Sequence, residues 1–386
     1  MAGKGGRAVI QVKISNGKGK RTEIIGGVEL QSSGGVPPQW AALTEFLPAR
    51  GRVLDYGSWQ GVAALWLKAC RRDAQVTFAH YSSCLVAQAA ENAASSQLAI
   101  QSQAMFPLTG QWDTIILAAP EQREAMRLLA CQAAACLNPG GELLVAASSP
   151  RDEELGEHFA KISEVAAGEH WTILRCTDPR QGSVDLPWQK LSVQVRGLEL
   201  ELASLPGNFS PGGLDQGTRL MLEEALIPKG GRVLDLGCGY GVVGIVAAKL
   251  GAGEAVFVDD DFIALTACSH NLQGLGINGE LVHSHLPAVL GGKFDCILTN
   301  PPYHADYGVA SSFLEFAARS LNPQGWVYVV IKKPDWYRNK LQSLFGGCRA
   351  VERDGYWLLS AQKRLKTGQA NAAAKTTRKH RRKQRH

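Results

Sequence analysis

No stretch of the 386-residue chain runs for the roughly twenty consecutive apolar residues that a bilayer-crossing helix needs. The start, Met1-Ala-Gly-Lys-Gly-Gly-Arg7, lacks the apolar centre of an export signal. No membrane partner and a cytoplasmic location are therefore expected. Cysteine pairs are missing too: nine cysteines are scattered from Cys70 to Cys348 without one Cys-x-x-Cys. That excludes the usual zinc spacing and a disulfide framework, so free buried thiols and no metal are expected. Acids are absent from both ends. Residues 1–21 carry six Lys or Arg and residues 366–386 carry eight, so the overall +6 leaves −8 for the residues between. A mildly acidic body with two basic arms suits a polyanionic partner.

What is present is a duplication. Gly51-Arg-Val-Leu-Asp-Tyr-Gly57-Ser-Trp-Gln-Gly61-Val62 matches Gly231-Arg-Val-Leu-Asp-Leu-Gly237-Cys-Gly-Tyr-Gly241-Val242 at an offset of 180 residues. Asn92 follows with Asn271, Trp112-Asp113 with Phe294-Asp295, and Leu137-Asn-Pro-Gly-Gly141 with Leu321-Asn-Pro-Gln-Gly325. Solenoid repeats are about 20 to 50 residues long, so a repeat of this length means two copies of a whole domain. Each copy alternates β-branched runs with helical stretches, the pattern of a parallel sheet covered on both faces.

In the second copy the strands are predicted at Arg232–Leu236, Ala255–Val258, Leu281–Val282, Phe294–Leu298 and Trp326–Ile331. A closing hairpin of Arg349–Val351 and Tyr356–Ala361 turns at Arg353-Asp-Gly355 and adds an antiparallel strand. Ahead of that copy, Leu191, Val193 and Val195 alternate with polar residues, turn at Arg196-Gly197, and are answered by Leu198, Leu200 and Leu202, a second hairpin. Cys176-Thr-Asp-Pro-Arg-Gln-Gly-Ser183 reads as a linker.

The strand ending in Asp235 runs into Gly237, Cys238, Gly239 and Gly241, a tight turn whose small residues let backbone approach a ligand at the carboxyl edge of the sheet. The next strand ends at Asp259, where an acid can accept both hydroxyls of a ribose. Asp235 would repel a pyrophosphate and attract an amine and a sulfonium, which points to S-adenosylmethionine rather than a dinucleotide. Asp235 is assigned to its amino-acid moiety, indirectly or through water, Gly237 and Gly239 to close backbone contact, and Asp259 to the ribose. Helix capping is the competing account of these acids, and Asp260 and Asp261 read as solvated acids at a helix start. Ser284 and His285 follow the third strand, where adenine lies in this fold; a surface loop accounts for them equally well.

Asn300-Pro-Pro-Tyr303 follows the fourth strand and stands at the same sheet edge. An exocyclic amine is a poor nucleophile because its lone pair is delocalised. If the Asn300 side-chain oxygen and the Pro301 carbonyl both accept its hydrogens, the lone pair can point at a sulfonium methyl. Pro301 and Pro302 keep those acceptors rigid, and Tyr303 offers a face for stacking a planar substrate. His304 can contact that substrate or simply pack. In the first copy Trp59 replaces the middle glycine and would fill the cofactor space, and Ala118-Ala-Pro120 stands opposite Asn300-Pro-Pro.

Together, Asn208-Phe-Ser210, Gly213-Leu-Asp215, Gly217, the Asp235–Gly241 turn, Asp259 and Asn300-Pro-Pro-Tyr-His304 resemble the bacterial ribosomal RNA guanine-N2 methyltransferases of the small and large subunits. The resemblance covers residues 190–363. It implies an α/β chain of two tandem Rossmann-like class I S-adenosylmethionine methyltransferase domains, the N-terminal copy degenerate, with ribosomal RNA or a ribosomal subunit as partner and N2-methylguanosine as product. Carried over, it gives the segment from Phe209 through Asp215 to Gly217 the cofactor and substrate mouth, and Asn300 to Tyr303 the guanine amine. The expected organisation is a basic flexible start (1–21), a degenerate domain (22–175), a linker (176–189), a catalytic domain (190–365) and a basic tail (366–386) following RNA phosphates, in a monomer. Adenine N6, a protein glutamine amide, or a ribosome-associated RNA binder without catalysis are the alternatives; the duplication and the intact second-copy glycines favour the guanine reading.

Overall fold

The computed structural model describes residues 10–13, 21–25, 28–32, 36–48, 51–149, 151–180, 185–208, 213–301 and 307–364. They divide into two compact units, one running to Trp188 with the short pieces Leu205–Gly207 and Asp260–Ile263, the other holding the remainder.

The first unit begins with β1 (Ile10–Lys13), β2 (Arg21–Ile25) and β3 (Val28–Ser32), a small sheet ordered β1-β3-β2. Strand β1 falls in the segment expected to be flexible; Ile10 and Val12 are β-branched strand formers, and the backbone pairs in parallel with β3. Then come α1 (Pro38–Leu43), β4 (Arg52–Tyr56), α2 (Val62–Cys70), β5 (Gln75–His80), α3 (Ser83–Ser95), β6 (Gln101–Ala104) and β7 (Trp112–Ala118). The unit closes with α4 (Arg123–Cys136), β8 (Leu137–Ala147), α5 (Asp152–Gly156), β9 (Phe159–Gly168) and β10 (Trp171–Pro179). Cys176–Pro179, expected in the linker, belong to β10: Cys176 pairs with Leu143 and Ile162, and the sheet outweighs the Asp-Pro turn signal, which ends the strand instead with Asp178 at φ 55.

The second unit opens with the hairpin β11 (Gln189–Val195) and β12 (Leu198–Ser204), whose turn residues Arg196 and Gly197 both have positive φ. After α6 (Gln216–Glu224) come β13 (Arg232–Leu236), α7 (Val242–Lys249), β14 (Glu254–Asp259), α8 (Phe262–Leu275) and β15 (Glu280–His283). The chain continues through β16 (Phe294–Thr299), α9 (Tyr307–Ser320), β17 (Leu321–Ile331), α10 (Pro334–Phe345), β18 (Arg349–Arg353) and β19 (Tyr356–Gln362).

The two large sheets have one topology. Their orders are β6-β5-β4-β7-β8-β10-β9 and β15-β14-β13-β16-β17-β19-β18, parallel except for β10 and β19, which run antiparallel to both neighbours. Strands covered on both faces need continuous apolar runs. Val53, Leu54, Ile115, Ile116 and Leu143 in one sheet and Val233, Leu234, Val256, Ile297 and Val329 in the other are all buried. In the first unit one apolar cluster joins the sheet to Met126, Leu129 and Ala133 of α4, and another joins it to Leu43, Leu65 and Ala89 of α1, α2 and α3.

The repeated landmarks prove to be scaffolding. Asp113 accepts from Arg52 N (2.7 Å) and Asn138 Nδ2 (2.7 Å), and Asp295 does the same with Arg232 N (2.9 Å) and Asn322 Nδ2 (2.7 Å). Both aspartates sit where the strand register shifts, and their side chains satisfy a backbone donor there. Asn92 Nδ2 donates to the Gln60 carbonyl at 3.1 Å and Asn271 Nδ2 to that of Tyr240 at 2.9 Å, each fixing the residue before the last glycine of its turn.

Candidate active site at the carboxyl edge of the second sheet

Where β13 ends, the backbone turns back on its neighbour. Gly237 N and Cys238 N both donate to the Val258 carbonyl (2.8 and 3.0 Å), and Gly239 N donates to Asp259 Oδ2 at 2.8 Å. Gly237, Gly239 and Gly241 have φ of 76°, 54° and 90°, the left-handed region that favours glycine. Their surroundings differ. A β-carbon on Gly237 or Gly239 would meet no atom within 4 Å, whereas one on Gly241 would lie 2.5 Å from Cys268 Sγ. The first two glycines thus leave room above the turn and the third seats α7 against α8. Cys238 offers only backbone: its thiol is buried beside Cys268, and burial pushes it far above the usual thiol range.

Asp235 is buried and accepts from Gly244 N at 2.8 Å, which ties the end of β13 to the first turn of α7. Burial, with a smaller contribution from the charge of Asp259, lifts its carboxyl to about 7. Half-buried Asp259 braces the turn through Gly239, and its own carbonyl accepts from Ser284 N at 2.9 Å. The Ser284 hydroxyl is engaged locally, donating to the Leu286 carbonyl and accepting from Leu286 N. Two acids under an open glycine turn suit a ligand with a cationic end and a diol, so the residues fit S-adenosylmethionine. Asp260, expected as a solvated helix acid, belongs to the first unit, where it accepts from Ser82 Oγ, Ser83 Oγ and Cys84 N.

Thr299 pairs with Leu236, so Asn300 stands one strand across from Gly237. The Asn300 Nδ2 group donates to Thr218 Oγ1 (2.8 Å) and Asp215 Oδ2 (3.1 Å). With both hydrogens directed there, the amide oxygen is turned to the opposite side, the acceptor pole an amine requires. Asp215 caps α6 by accepting from Thr218 N at 2.9 Å and also accepts from Tyr356 Oη at 3.3 Å. Gly217 allows this closeness, because a β-carbon there would fall 2.5 Å from Val330 Cγ1 and 2.6 Å from the Tyr356 ring. Tyr240 is buried, its hydroxyl pushed up to about 12 by burial and then by the charges of Asp215 and Asp235. Pro301 is buried; Phe209, Pro302, Tyr303 and His304 lie outside the described residues. The sequence reading missed Thr218 and Tyr356. Only the Asp-x-x-Thr cap pattern marked the first, and a turn at Asp354-Gly355 marked the neighbourhood of the second.

The first unit answers this arrangement with occupied space. Tyr56 pairs with Ala79 as Leu236 pairs with Val258, so His80 stands where the second copy has Asp259. A β-carbon on Gly57 would lie 2.5 Å from His80 Cδ2. The histidine packs on Tyr81 (4.0 Å between centroids) and Tyr56 (5.5 Å), and burial lowers it to about 4 despite the charge of Asp260. Its Nδ1 accepts from Ser82 N at 3.0 Å, as a neutral ring can. His80, then, covers the turn where Trp59 was expected; Trp59 packs instead against the cluster around Leu65 and Phe78. The Arg151 guanidinium donates to the carbonyls of Pro120 (2.9 Å) and Glu121 (3.1 Å), on the loop that replaces Asn300-Pro-Pro-Tyr.

An acid-and-glycine turn at the first strand, an acid at the second, and an oriented asparagine at the fourth, under a sheet closed by an antiparallel strand, define a methyltransferase of the S-adenosylmethionine-using class. The Methyltransferase small domain family model matches residues 32–175 and 199–360. A ribosomal RNA small subunit methyltransferase C of Pseudomonas paraeruginosa is 30% identical, over 66% of this chain and 80% of its own length. Its counterpart in Pseudomonas aeruginosa strain UCBPP-PA14 is 29% identical over the same shares. A solved T. thermophilus 16S rRNA N2 methyltransferase, in complex with AdoMet and guanosine, superposes with a TM-score of 0.75 at 26% identity, covering 89% of this chain and 98% of that one. The chain belongs to the methyltransferase small domain family and, within it, to the family of the ribosomal RNA small subunit methyltransferases C.

Proposed function

We propose that this chain methylates the exocyclic N2 of a guanine in small-subunit ribosomal RNA, using S-adenosylmethionine. The observation that carries the reading is the Asn300 amide, held by Thr218 and Asp215 one strand from an open glycine turn. The relatives named for small-subunit RNA, and the T. thermophilus enzyme bound to AdoMet and guanosine, support the choice of base and cofactor.

In this reading Gly237 and Gly239 admit the cofactor to backbone contact, Asp259 takes its ribose, and Asp235 acts on the amino-acid moiety indirectly, by tying the turn to α7 through Gly244 N. Ser284 flanks the adenine end and Cys238 contributes its backbone alone. When bound, the cofactor would supply a methyl on a sulfonium that departs as the neutral thioether, and the proton lost by the methylated amine would pass to solvent. Asn300 Oδ1 and the Pro301 carbonyl accept the two hydrogens of the guanine amine and aim its lone pair outward from the ring plane. Preorganised acceptors of this kind need no rearrangement as charge develops on nitrogen. Pro302, Tyr303, His304 and Phe209 complete the substrate mouth. The basic segment 366–386, outside the described residues, holds RNA phosphates, and the chain acts as a monomer in the cytoplasm. No helix among the described residues is long and apolar enough to cross a membrane.

The test is incubation with tritiated S-adenosylmethionine and separated ribosomal subunits and RNAs lacking the modification, followed by nucleoside analysis. Label in N2-methylguanosine from the small subunit is expected. Label in N6-methyladenosine or in protein, or none with cofactor bound, overturns the reading.

A further inference from the structure

Thr299, the last residue of β16, carries a buried hydroxyl with no role in the assignments above. The residue is 2% exposed, and its Oγ1 has no hydrogen-bond partner among the described residues. A buried hydroxyl in this state costs stability, because the bonds it made to water are not replaced. The sequence around it removes the usual local remedy. Threonine hydroxyls at the ends of elements commonly accept from the backbone N–H two or three residues on. Those positions are Pro301 and Pro302, which have no N–H to give.

The duplication provides an internal comparison. Leu236 pairs with Thr299 as Tyr56 pairs with Leu117, so the first copy has fully buried Leu117 at this place and Ala118 at that of Asn300. An apolar side chain therefore satisfies the fold here, and the copy without Asn300 has one. The copy with Asn300 holds a hydroxyl in the same buried place, against its own stability. Thr299 shares its sheet face with Leu236 and Val329, which pack in one cluster with Leu314 and Ala317 of α9. Asn300 turns to the opposite face, where it bonds Thr218 of α6. The end of β16 thus carries a polar group on each side.

Guanine carries N1–H beside its exocyclic amine and pointing the same way, so an acceptor for it has to stand next to the two that take the amine hydrogens. We propose that Thr299 is that acceptor, a further substrate-binding residue whose hydroxyl oxygen takes N1–H of the target guanine and has no partner until the base is seated. The inference deepens the proposed function and rests on it. Rotation about the Cα–Cβ bond of Thr299, from one staggered position to the next, exchanges its methyl and hydroxyl without moving the strand and lets Oγ1 turn to the carboxyl edge. The contact on N1 ties the ring itself, and not only its amine, to the strand end.

The test compares wild type, Thr299→Val and Thr299→Ser as full chains. Valine keeps the shape and removes the hydroxyl, so the melting temperature of Thr299→Val without RNA should equal or exceed that of wild type. RNA affinity is then measured with S-adenosylhomocysteine bound, on small-subunit RNA carrying either guanine or 2-aminopurine at the position that wild type methylates. The analogue keeps the amine and lacks N1–H. With guanine, Thr299→Val should raise the RNA Kd about three- to tenfold, the share of one hydrogen bond, and Thr299→Ser should restore it. With 2-aminopurine, wild type and Thr299→Val should bind alike, and the affinity for S-adenosylhomocysteine should be the same in all three proteins. A melting temperature of Thr299→Val several degrees below wild type, a wild-type Kd for guanine RNA in that variant, or an equal loss with 2-aminopurine overturns this proposal alone. Absence of methyl transfer by the wild type overturns the proposed function, and this inference with it.

Discussion

Alanine at Gly241 and at Gly239 should do opposite kinds of damage. Gly241 has φ 90° and ψ 8°, and a left-handed backbone costs a residue with a β-carbon about 1–2 kcal/mol. The new methyl would also stand 2.5 Å from Cys268 Sγ and 3.4 Å from Ile245 Cδ1, an overpacking of the kind that costs about 1–3 kcal/mol. A loss of about 2–5 kcal/mol should therefore lower the melting temperature of the second unit by roughly 5–15 °C. Gly239→Ala carries only the backbone strain, about 1–2 kcal/mol, since nothing lies within 4 Å of its β-carbon. Its methyl enters the space assigned to the cofactor, and the S-adenosylmethionine Kd should rise at least tenfold. Urea unfolding and titration calorimetry separate the two effects, and Gly241→Ala with Cys268→Ala should recover the steric share of the stability loss. Wild-type cofactor affinity in Gly239→Ala would refute the assignment of the open turn. Wild-type stability in Gly241→Ala would refute the packing argument.

Asn300→Ala should lower kcat by roughly a hundred- to a thousand-fold with the cofactor Kd unchanged; near-normal turnover in a methyl-transfer assay would remove Asn300 from the reaction. Asn271 accepts from Ala203 N (2.7 Å) and donates to the carbonyls of Ala203 (2.8 Å) and Tyr240 (2.9 Å), so Asn271→Leu strands buried backbone groups. A loss of about 2–4 kcal/mol is expected in denaturant unfolding; a change below about 0.5 kcal/mol would contradict the role given to that landmark. Because burial holds Asp235 protonated in the fold up to about pH 7, the folded state binds a proton that the unfolded chain releases near pH 4. Its contribution to stability is present below pH 4 and is lost as pH rises to about 7. Across that window the loss is of order 4 kcal/mol, and Asp235→Asn should flatten it in unfolding curves taken at pH 5 and pH 8. An identical pH dependence in the variant would show that Asp235 titrates normally.

Much of this architecture is legible in the residues themselves. Continuous β-branched runs, glycines at the ends of strands and the hairpin turns Arg196-Gly197 and Asp354-Gly355 are local signals, and the strands at Arg232–Leu236 and Tyr356–Gln362 lie where those signals put them. What escaped was nonlocal. That His80 rather than Trp59 covers the first glycine turn depends on the register of β5 against β4, since a shift of one residue would face another side chain. The partners of Asn300 are 82, 85 and, through Asp215, 56 residues away, and no pattern of spacing joins the Asp215–Thr218 cap to Asn300 or to Tyr356. Cys176–Pro179 looked like a linker because Asp-Pro is a turn pair, yet Cys176 pairs with strands on both sides and Thr177 and Pro179 pair with β9, which holds the segment in the sheet.

The histidine over Gly57 also bears on the history of the chain. The first unit keeps the bonds that hold its turn in shape, from Asn92 Nδ2 to the Gln60 carbonyl and from Ala64 N to the Asp55 carboxylate, although the turn has no space to offer. The first copy thus retains the framework that folding needs and lacks the open space that the second copy keeps above its turn. A ring at the position of Asp259 fills that volume, so what separates the two copies is whether the space above the turn is occupied.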